Sequence, residues 1–464
     1  MKHIHHTTPE EAGPTLGAIG RWLVSLNQLH QCLRSHFARP EPYQHVLLYL
    51  QAILSEIPRK NGWQMAEHAR QLRPYGMQRL LSHAVWDEAG VRDELRALVC
   101  HTLQPPPVEP ARADPAALFP ILVLDESGFP KRGRHSAGVA NQYCGASGRV
   151  ENCQVGVFLS YVTALGHALI DRELYLPEDW CSDLPRRQAA HIPDTLTFET
   201  KPELAIRMIQ RAQAARLPIR WVVADTVYGH SPDLRVFLEA QGFSCAVAIP
   251  CIEVICVQRE QACLLRDVGS IVHQLRTRDW QRLSQSQGTK GERLFDWAIL
   301  PWVQAGTVDG RHFLVIRRCL DDPSELAYYL VFAPPAAPLS TIVQAIGARW
   351  HIEEDLQASK KLGLDQYEVR SFVGWYRHLT LVLLAYAFLV GLCVQESHPR
   401  SAQDQSSASS PRISLTPSEV GHLLARLLFP APTSAPLICH WSWWRRTHQY
   451  WAGYYHRRRR AKAC

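Results

Sequence analysis

Three carboxylates stand where they could do chemistry together. Asp125 closes the apolar run Phe119–Leu124, Asp225 closes Ile219–Ala224, and Glu353 lies in a segment with helical spacing of apolar residues. Both runs have the length and composition of buried strands. In an open α/β sheet, side chains at the carboxyl ends of strands face the crevice where ligands bind. An aspartate after a strand is equally an ordinary turn or helix-cap residue. The glutamate adds a second constraint. At ~100° per residue from Arg349, Glu353 falls near 40° and Lys360 near 20°. Ile342, Ile346, Leu356 and Ile352 lie within about 60° of the same direction. Three charges inside an apolar arc are costly unless they meet a metal, a phosphate or each other. Two aspartates and an inward glutamate make an oxygen-ligand set for two Mg²⁺ or Mn²⁺ ions, which favour carboxylates and leave positions for substrate phosphates. Such a pair, ~3.5–4 Å apart, activates a water or a 3′-hydroxyl and stabilises the leaving oxygen. Arg349 and Lys360 would neutralise phosphates beside it, Arg349 through its fork and Lys360 as a point charge.

These residues need a scaffold, and the period of the sequence supplies one. Residues 1–104 read as a helical region; Trp63–Leu72, a turn at Arg73–Gly76 and Met77–Ala84 have the proportions of a helix-turn-helix. Arg70, Arg73 and Arg79 sit at or near its second helix, although an ordinary helical hairpin has the same pattern. A Pro-rich linker spans 105–118. Within 119–250, strands are expected at Phe119–Leu124, Cys153–Val162, Ala168–Tyr175, Ile219–Ala224 and Ser244–Ile249, with helices at Pro202–Ala215 and Pro232–Gln241. That order is compatible with a ribonuclease H-like α/β core. Residues 251–338 read as a β-rich insertion, with runs at Phe295–Leu300, His312–Ile316 and Leu326–Phe332. The core resumes over 339–394 with one helix from about Leu339 to Leu362 and an apolar segment, Leu379–Val394, too short to span a bilayer and read as a buried core helix. A Ser/Pro-rich linker covers 395–417, and a C-terminal helix and tail cover 418–464, opened by the capping box Thr416–Glu419.

Composition excludes several classes. The chain of 464 residues is 46% hydrophobic with 14 Trp, which argues against disorder. Its 13 Cys lack zinc spacing and fit free thiols in a reducing cytoplasm. The N-terminus has no apolar signal region. The formal charge of +7 resides entirely beyond Trp441, in Arg445, Arg446, Arg457, Arg458, Arg459, Arg460 and Lys462, interleaved with Trp and Tyr. Aromatics between arginines suit phosphate neutralisation with base stacking; a solubilising terminus is the plainer reading.

At the carboxylates the sequence resembles the DDE transposases of bacterial insertion sequences, in the branch with a Tyr-x2-Arg-x3-Glu-x6-Lys signature. Arg349, Glu353 and Lys360 keep that spacing, while Ile346 stands at the tyrosine position. Similar blocks run from Leu124 to Lys131, through Ser136–Val139, Gln142–Gly145 and Asn152–Val157, and from Val223 to Gly229. Lys60–Gln64 and Gly374–His378 resemble the same branch, so the likeness extends over about residues 40–390. It implies a ribonuclease H-like catalytic core, a β-rich insertion before the catalytic glutamate, and the triad Asp125, Asp225 and Glu353 using two Mg²⁺ or Mn²⁺ ions. It implies cut-and-paste cleavage of transposon ends and strand transfer on double-stranded DNA, by a homodimer that is cytoplasmic, nucleoid-associated and independent of membranes. Candidate DNA contacts are Arg349, Lys360, Lys131, Arg445, Arg446, Arg457, Arg458, Arg459 and Arg460. A domesticated or inactive DNA-binding protein, and a structure-specific nuclease on the same fold, are the alternatives. Glu126 and Glu354 adjoin the triad; Glu354 falls near 140° on the helical scale, off the charged arc.

Overall fold

The computed structural model describes residues 16–104, 119–259, 262–288, 291–303, 310–397, 414–432 and 434–463. The expected linker at 105–118, and 398–413 of the second linker, lie outside the described residues. The chain forms two compact units, one of residues 1–94, 359–369 and 373–464, the other of 95–358 and 370–372.

The first elements are α1 (Leu16–Cys32), α2 (Pro40–Ile53), α3 (Gly62–His68), α4 (Tyr75–Ser82) and α5 (Glu88–Leu103). Asn61 caps α3 by accepting from the backbone N–H groups of Trp63 and Gln64. The resemblance block around it has a packing reason as well. The buried Lys60 ammonium donates to the carbonyls of Ala52 and Ser55, and burial pushes its pKa down to about 8.

In the second unit the elements begin with β1 (Ile121–Pro130), β2 (Ala140–Cys144), β3 (Arg149–Thr163) and β4 (Gly166–Tyr175). Helices α6 (Glu178–Ser182), α7 (Leu184–Ala189) and α8 (Lys201–Ala214) follow. Thr200 and Glu203 close a reciprocal capping box on α8. Then come β5 (Trp221–Ala224), α9 (Thr226–Gly229), α10 (Pro232–Ala240) and β6 (Ser244–Ile249). The remainder is β7 (Val254–Arg259), β8 (Ala262–Asp267), α11 (Val268–Val272), β9 (Gln281–Gly288), β10 (Gly291–Val303), β11 (His312–Arg318) and β12 (Leu326–Phe332). Last are α12 (Leu339–Gly347) and α13 (Trp350–Lys361).

One mixed sheet joins all twelve strands in the order β2-β3-β1-β5-β6-β12-β11-β10-β7-β8, with β4 also on β3 and β9 also on β10. Within it β3 runs antiparallel to both β4 and β1, and β5 and β6 run parallel to β1. The fold is therefore mixed α/β. The strands of 251–338 continue this sheet, because β12 pairs antiparallel with β6.

Two expectations need correction. Asp125 does not end its strand. β1 continues through Pro130, held by β3 out to the pair Pro130 with Cys153, whereas its pairing with β5 stops at Leu124 with Ala224. The single helix expected over Leu339–Leu362 is two helices separated by a tight turn at Ala348–Arg349, where Arg349 N–H donates to the Ile346 carbonyl. The last residue before the break, Gly347, packs close on β9: a Cβ there would lie 2.2 Å from the carbonyl oxygen of Gln285.

The final helices, in the first unit, are α14 (Phe372–Ser397), α15 (Pro417–Leu427) and α16 (Ala435–Ala463). Every residue of α14 from Gly374 to Cys393 is buried. This helix is long and apolar enough to cross a membrane, but 89% of its most apolar window is packed inside protein, so it is a core helix. Its polar residues are paired: His378 bonds the Tyr49 hydroxyl at 2.7 Å and the Gly363 carbonyl at 2.8 Å. Thr416 caps α15 through Glu419 N–H. The basic segment is not an extended tail but part of α16, whose Trp441 and Trp444 are buried.

Candidate active site

Strand register brings the first two carboxylates together. Leu124 and Ala224 are the last paired residues of the parallel neighbours β1 and β5, so Asp125 and Asp225 emerge side by side where the two strands part. Neighbouring strands lie ~4.8 Å apart, so the two carboxylates are close enough for Asp225 to act electrostatically on Asp125. Asp225 also caps α9, accepting from Val227 N–H at 3.0 Å. The turn reading therefore holds for this residue, which also lies beside Asp125. Gly229 lets α9 close down on β6, since a Cβ there would meet the Ala248 carbonyl at 1.9 Å.

The third carboxylate arrives from α13. Arg349, in the turn before that helix, donates from Nη2 to Glu353 Oε1 at 2.7 Å, and its Nη1 lies 3.7 Å from Asp125 Oδ2. One guanidinium therefore bridges carboxylates from a strand and a helix. Asp125, Asp225, Glu353 and Arg349 thus lie together in the fold. Lys360 stands near the end of the same helix, half-buried.

The site holds more negative charge than its cation can balance. Burial, then the neighbouring Asp225, raise the Asp125 pKa to about 7 against the lowering influence of Arg349. Asp225 is raised as well, by burial and by Glu126. Glu126 belongs to the site electrostatically but has a partner of its own, Lys201 at the start of α8, 2.6 Å away. Tyr228 lies fully buried among these acids, which together with burial push its hydroxyl pKa far up. Lys201 and Tyr228 were not singled out in the sequence. The signals available were a helix-start lysine and the tyrosine of the Val223–Gly229 block.

Other candidates lie elsewhere. Lys131 follows the end of β1, six residues and so roughly 20 Å along the strand from Asp125. Its carbonyl accepts from Asn152 Nδ2 at 2.6 Å. Glu354 is turned toward His351 and His167. In the other unit, Arg445 is engaged by Glu67 at 2.6 Å, while Arg446, Arg457, Arg458, Arg459 and Arg460 are exposed on α16. Trp441 and His440 of α16 bond the carbonyls of Gln71 and Leu72, in the connection between α3 and α4. Arg70, Arg73 and Arg79 of that hairpin are exposed.

Comparison with known proteins follows the same residues. Residues 28–263 match the model of a family described as DDE superfamily endonuclease, a span that contains Asp125 and Asp225. A probable transposase for insertion sequence element IS701 from Microchaete diplosiphon is 26% identical over 223 residues, covering 48% of this chain. The chain spans about half the length of that relative, 51%. The cryo-EM structure of a piggyBac transposase synaptic complex with hairpin DNA aligns with 92% of this chain and 82% of its own, at 11% identity and a TM-score of 0.42.

Proposed function

This chain belongs to the DDE superfamily endonucleases, and from that premise we propose that it is a DNA transposase, cleaving the ends of a mobile element and joining them to target DNA. The observation that carries the reading is the convergence of Asp125, just past the β1–β5 pairing, Asp225, just after β5, and Glu353 of α13 around Arg349. The strand order β4-β3-β1-β5-β6, with the last two parallel to β1, supports a ribonuclease H-like core. Arg349, Glu353 and Lys360 support membership of the Tyr-x2-Arg-x3-Glu-x6-Lys branch, with the buried Ile346 in place of its tyrosine.

The residues fit divalent metal. All the donors are carboxylate oxygens; burial first, and then the neighbouring Asp225, hold Asp125 far above its ordinary range, and hard cations relieve that close packing of negative charge. Two Mg²⁺ or Mn²⁺ ions held by Asp125, Asp225 and Glu353 would supply an activated hydroxyl and stabilise the leaving oxygen in an in-line displacement. With the carboxylates so engaged, the Arg349 fork is free to take a phosphate oxygen of the DNA. Lys201 keeps Glu126 neutralised beside the site. Lys360 and the exposed arginines of α16 are assigned to DNA phosphates, Lys131 to a more distant stretch of the same duplex. Binding two ends calls for a homodimer, and the substrate places the protein with cytoplasmic DNA.

Incubating the full chain with Mg²⁺ and DNA carrying the element's terminal repeats tests this directly. The reading expects end cleavage followed by joined products. Hydrolysis of branched DNA without joining would identify a nuclease, and binding with no cleavage at any metal concentration would identify a protein that no longer cuts.

A further inference from the structure

Beside the triad, on the opposite side of Glu353's own helix turn, three groups of a different chemistry meet. His167, in the β4 strand, stacks on His351 of α13 with ring centroids 4.4 Å apart and planes 25° from parallel. Glu354 Oε2 lies 2.9 Å from His351 Nδ1 and 3.4 Å from His167 Nε2. One donor atom from each of the three falls within 4.8 Å of the others.

The hydrogen bonding leaves a gap that a cation would fill. Asp355 is fully buried, takes a bond from the Ser160 hydroxyl, and lies 2.6 Å from His167 Nδ1. A carboxylate accepts only, so the Nδ1 proton is fixed there, and a neutral His167 then presents a lone pair at Nε2. That lone pair faces another acceptor, Glu354 Oε2. A proton or a metal ion fills that position: burial lowers the His167 pKa, but Asp355 and Glu354 raise it overall, and the same two carboxylates favour a bound cation. A carboxylate holding the far nitrogen of a histidine is also how metal-binding imidazoles are oriented and made more basic.

We propose that His167, His351 and Glu354 form a site for a transition-metal ion of the Zn²⁺ class, separate from the carboxylate triad. Imidazole nitrogens select such ions over Mg²⁺. Tetrahedral ligands at ~2.0–2.1 Å from zinc are separated by roughly 3.4 Å, and the two observed separations of 3.4 and 2.9 Å fit with small side-chain adjustments. Three protein ligands leave the fourth position to water. The ion would tie the β3–β4 hairpin to the helix that presents Glu353, fixing the roll of that helix without entering the reaction. The site stands on its own geometry and not on the proposed transposase activity.

The test is Co²⁺ binding to the metal-free full chain, read by its ligand-field absorption and by displacement with Zn²⁺. To silence the triad, the protein carries Asp125→Asn, Asp225→Asn and Glu353→Gln. The expected result is one Co²⁺ bound with a tetrahedral spectrum and released by Zn²⁺. His351→Gln and His167→Gln, checked for native circular dichroism, should each weaken binding at least tenfold. Asp355→Asn should weaken it by about 10–100-fold as an orienting partner. Absence of a tetrahedral spectrum in the triad-silenced protein would overturn the proposal, leaving a proton between His167 and Glu354. Equal Co²⁺ affinity in the histidine variants would overturn it too.

Discussion

Two clusters of acids and arginines in the same sheet unit are built to opposite ends. On β4, Asp171 and Glu173 are almost wholly buried and amply paired. Arg96 and Arg211 bond Asp171 at 3.1 and 2.9 Å, and Arg207 and Arg211 bond Glu173 at 2.9 and 2.6 Å. Near the end of the β1–β5 pairing, Asp125 and Glu353 share the Arg349 guanidinium, whose charge also reaches Asp225. The first cluster raises the Arg211 pKa, the mark of a cation held by its anions, although burial opposes it. The second raises the carboxylates instead. Carboxylates matched by arginines fasten a helix to a strand; carboxylates left short of cations are held ready for one that arrives from solution.

The largest expected effect separates the clusters by function. Asp125→Ala or Glu353→Ala should lower DNA cleavage by about a thousandfold or more, equivalent to losing ~4 kcal/mol of metal-borne stabilisation, with little change in melting temperature. Unchanged cleavage would remove these residues from the site. Arg211→Ala should do the reverse, destabilising the fold by about 1.5–3 kcal/mol in urea titration because two buried carboxylates each lose one of their arginine bonds, while folded protein retains its cleavage rate. Arg349→Ala lies between them. Loss of a charge-assisted phosphate contact should slow cleavage by roughly 10–100-fold, and stability should hardly fall, since this arginine is 30% exposed. A stability loss matching that of Arg211→Ala would show that both clusters are structural.

Smaller effects sharpen the contrast through pH. The Asp125 pKa rises from 3.8 to about 7 on folding, so the folded state binds the extra proton. That contribution to stability is fully present below about pH 4 and is lost as pH rises through about 7. Mg²⁺, which binds the ionised form, should therefore raise the melting temperature more at about pH 8 than at about pH 5.5. Asp125→Asn removes the buried charge and should raise the metal-free melting temperature by about 2–4 °C at neutral pH. A fall of similar size would mean that Arg349 already compensates Asp125 fully.

Much of this site was legible because its signals are local. An apolar run followed by an acid marked Asp125 and Asp225, and helical period placed Glu353 with Arg349. What escaped was decided at long range. Glu126–Pro130, with its Gly and Pro, does not read as a strand, yet β3 holds it as one. Ala348 and Arg349 are good helix formers, yet the helix breaks there, where Gly347 packs close against Gln285 of β9. β9, with the sequence Gln281–Gly288, is too polar to announce itself and forms against β10. His167 and His351 carry no common motif and meet only through the packing of β4 against α13. The Thr200–Glu203 capping box, by contrast, was local and readable.

The central claim, that acids from separate elements jointly hold the reactive metal, is tested most directly by titrating Mn²⁺ calorimetrically into metal-free protein at about pH 8, where carboxylates are ionised. Wild type should bind at the triad, and Asp125→Asn, Asp225→Asn and Glu353→Gln should each weaken that binding at least tenfold while melting cooperatively. Wild-type Mn²⁺ affinity in Glu353→Gln would contradict it, because the helix would then add nothing to the two aspartates of the sheet.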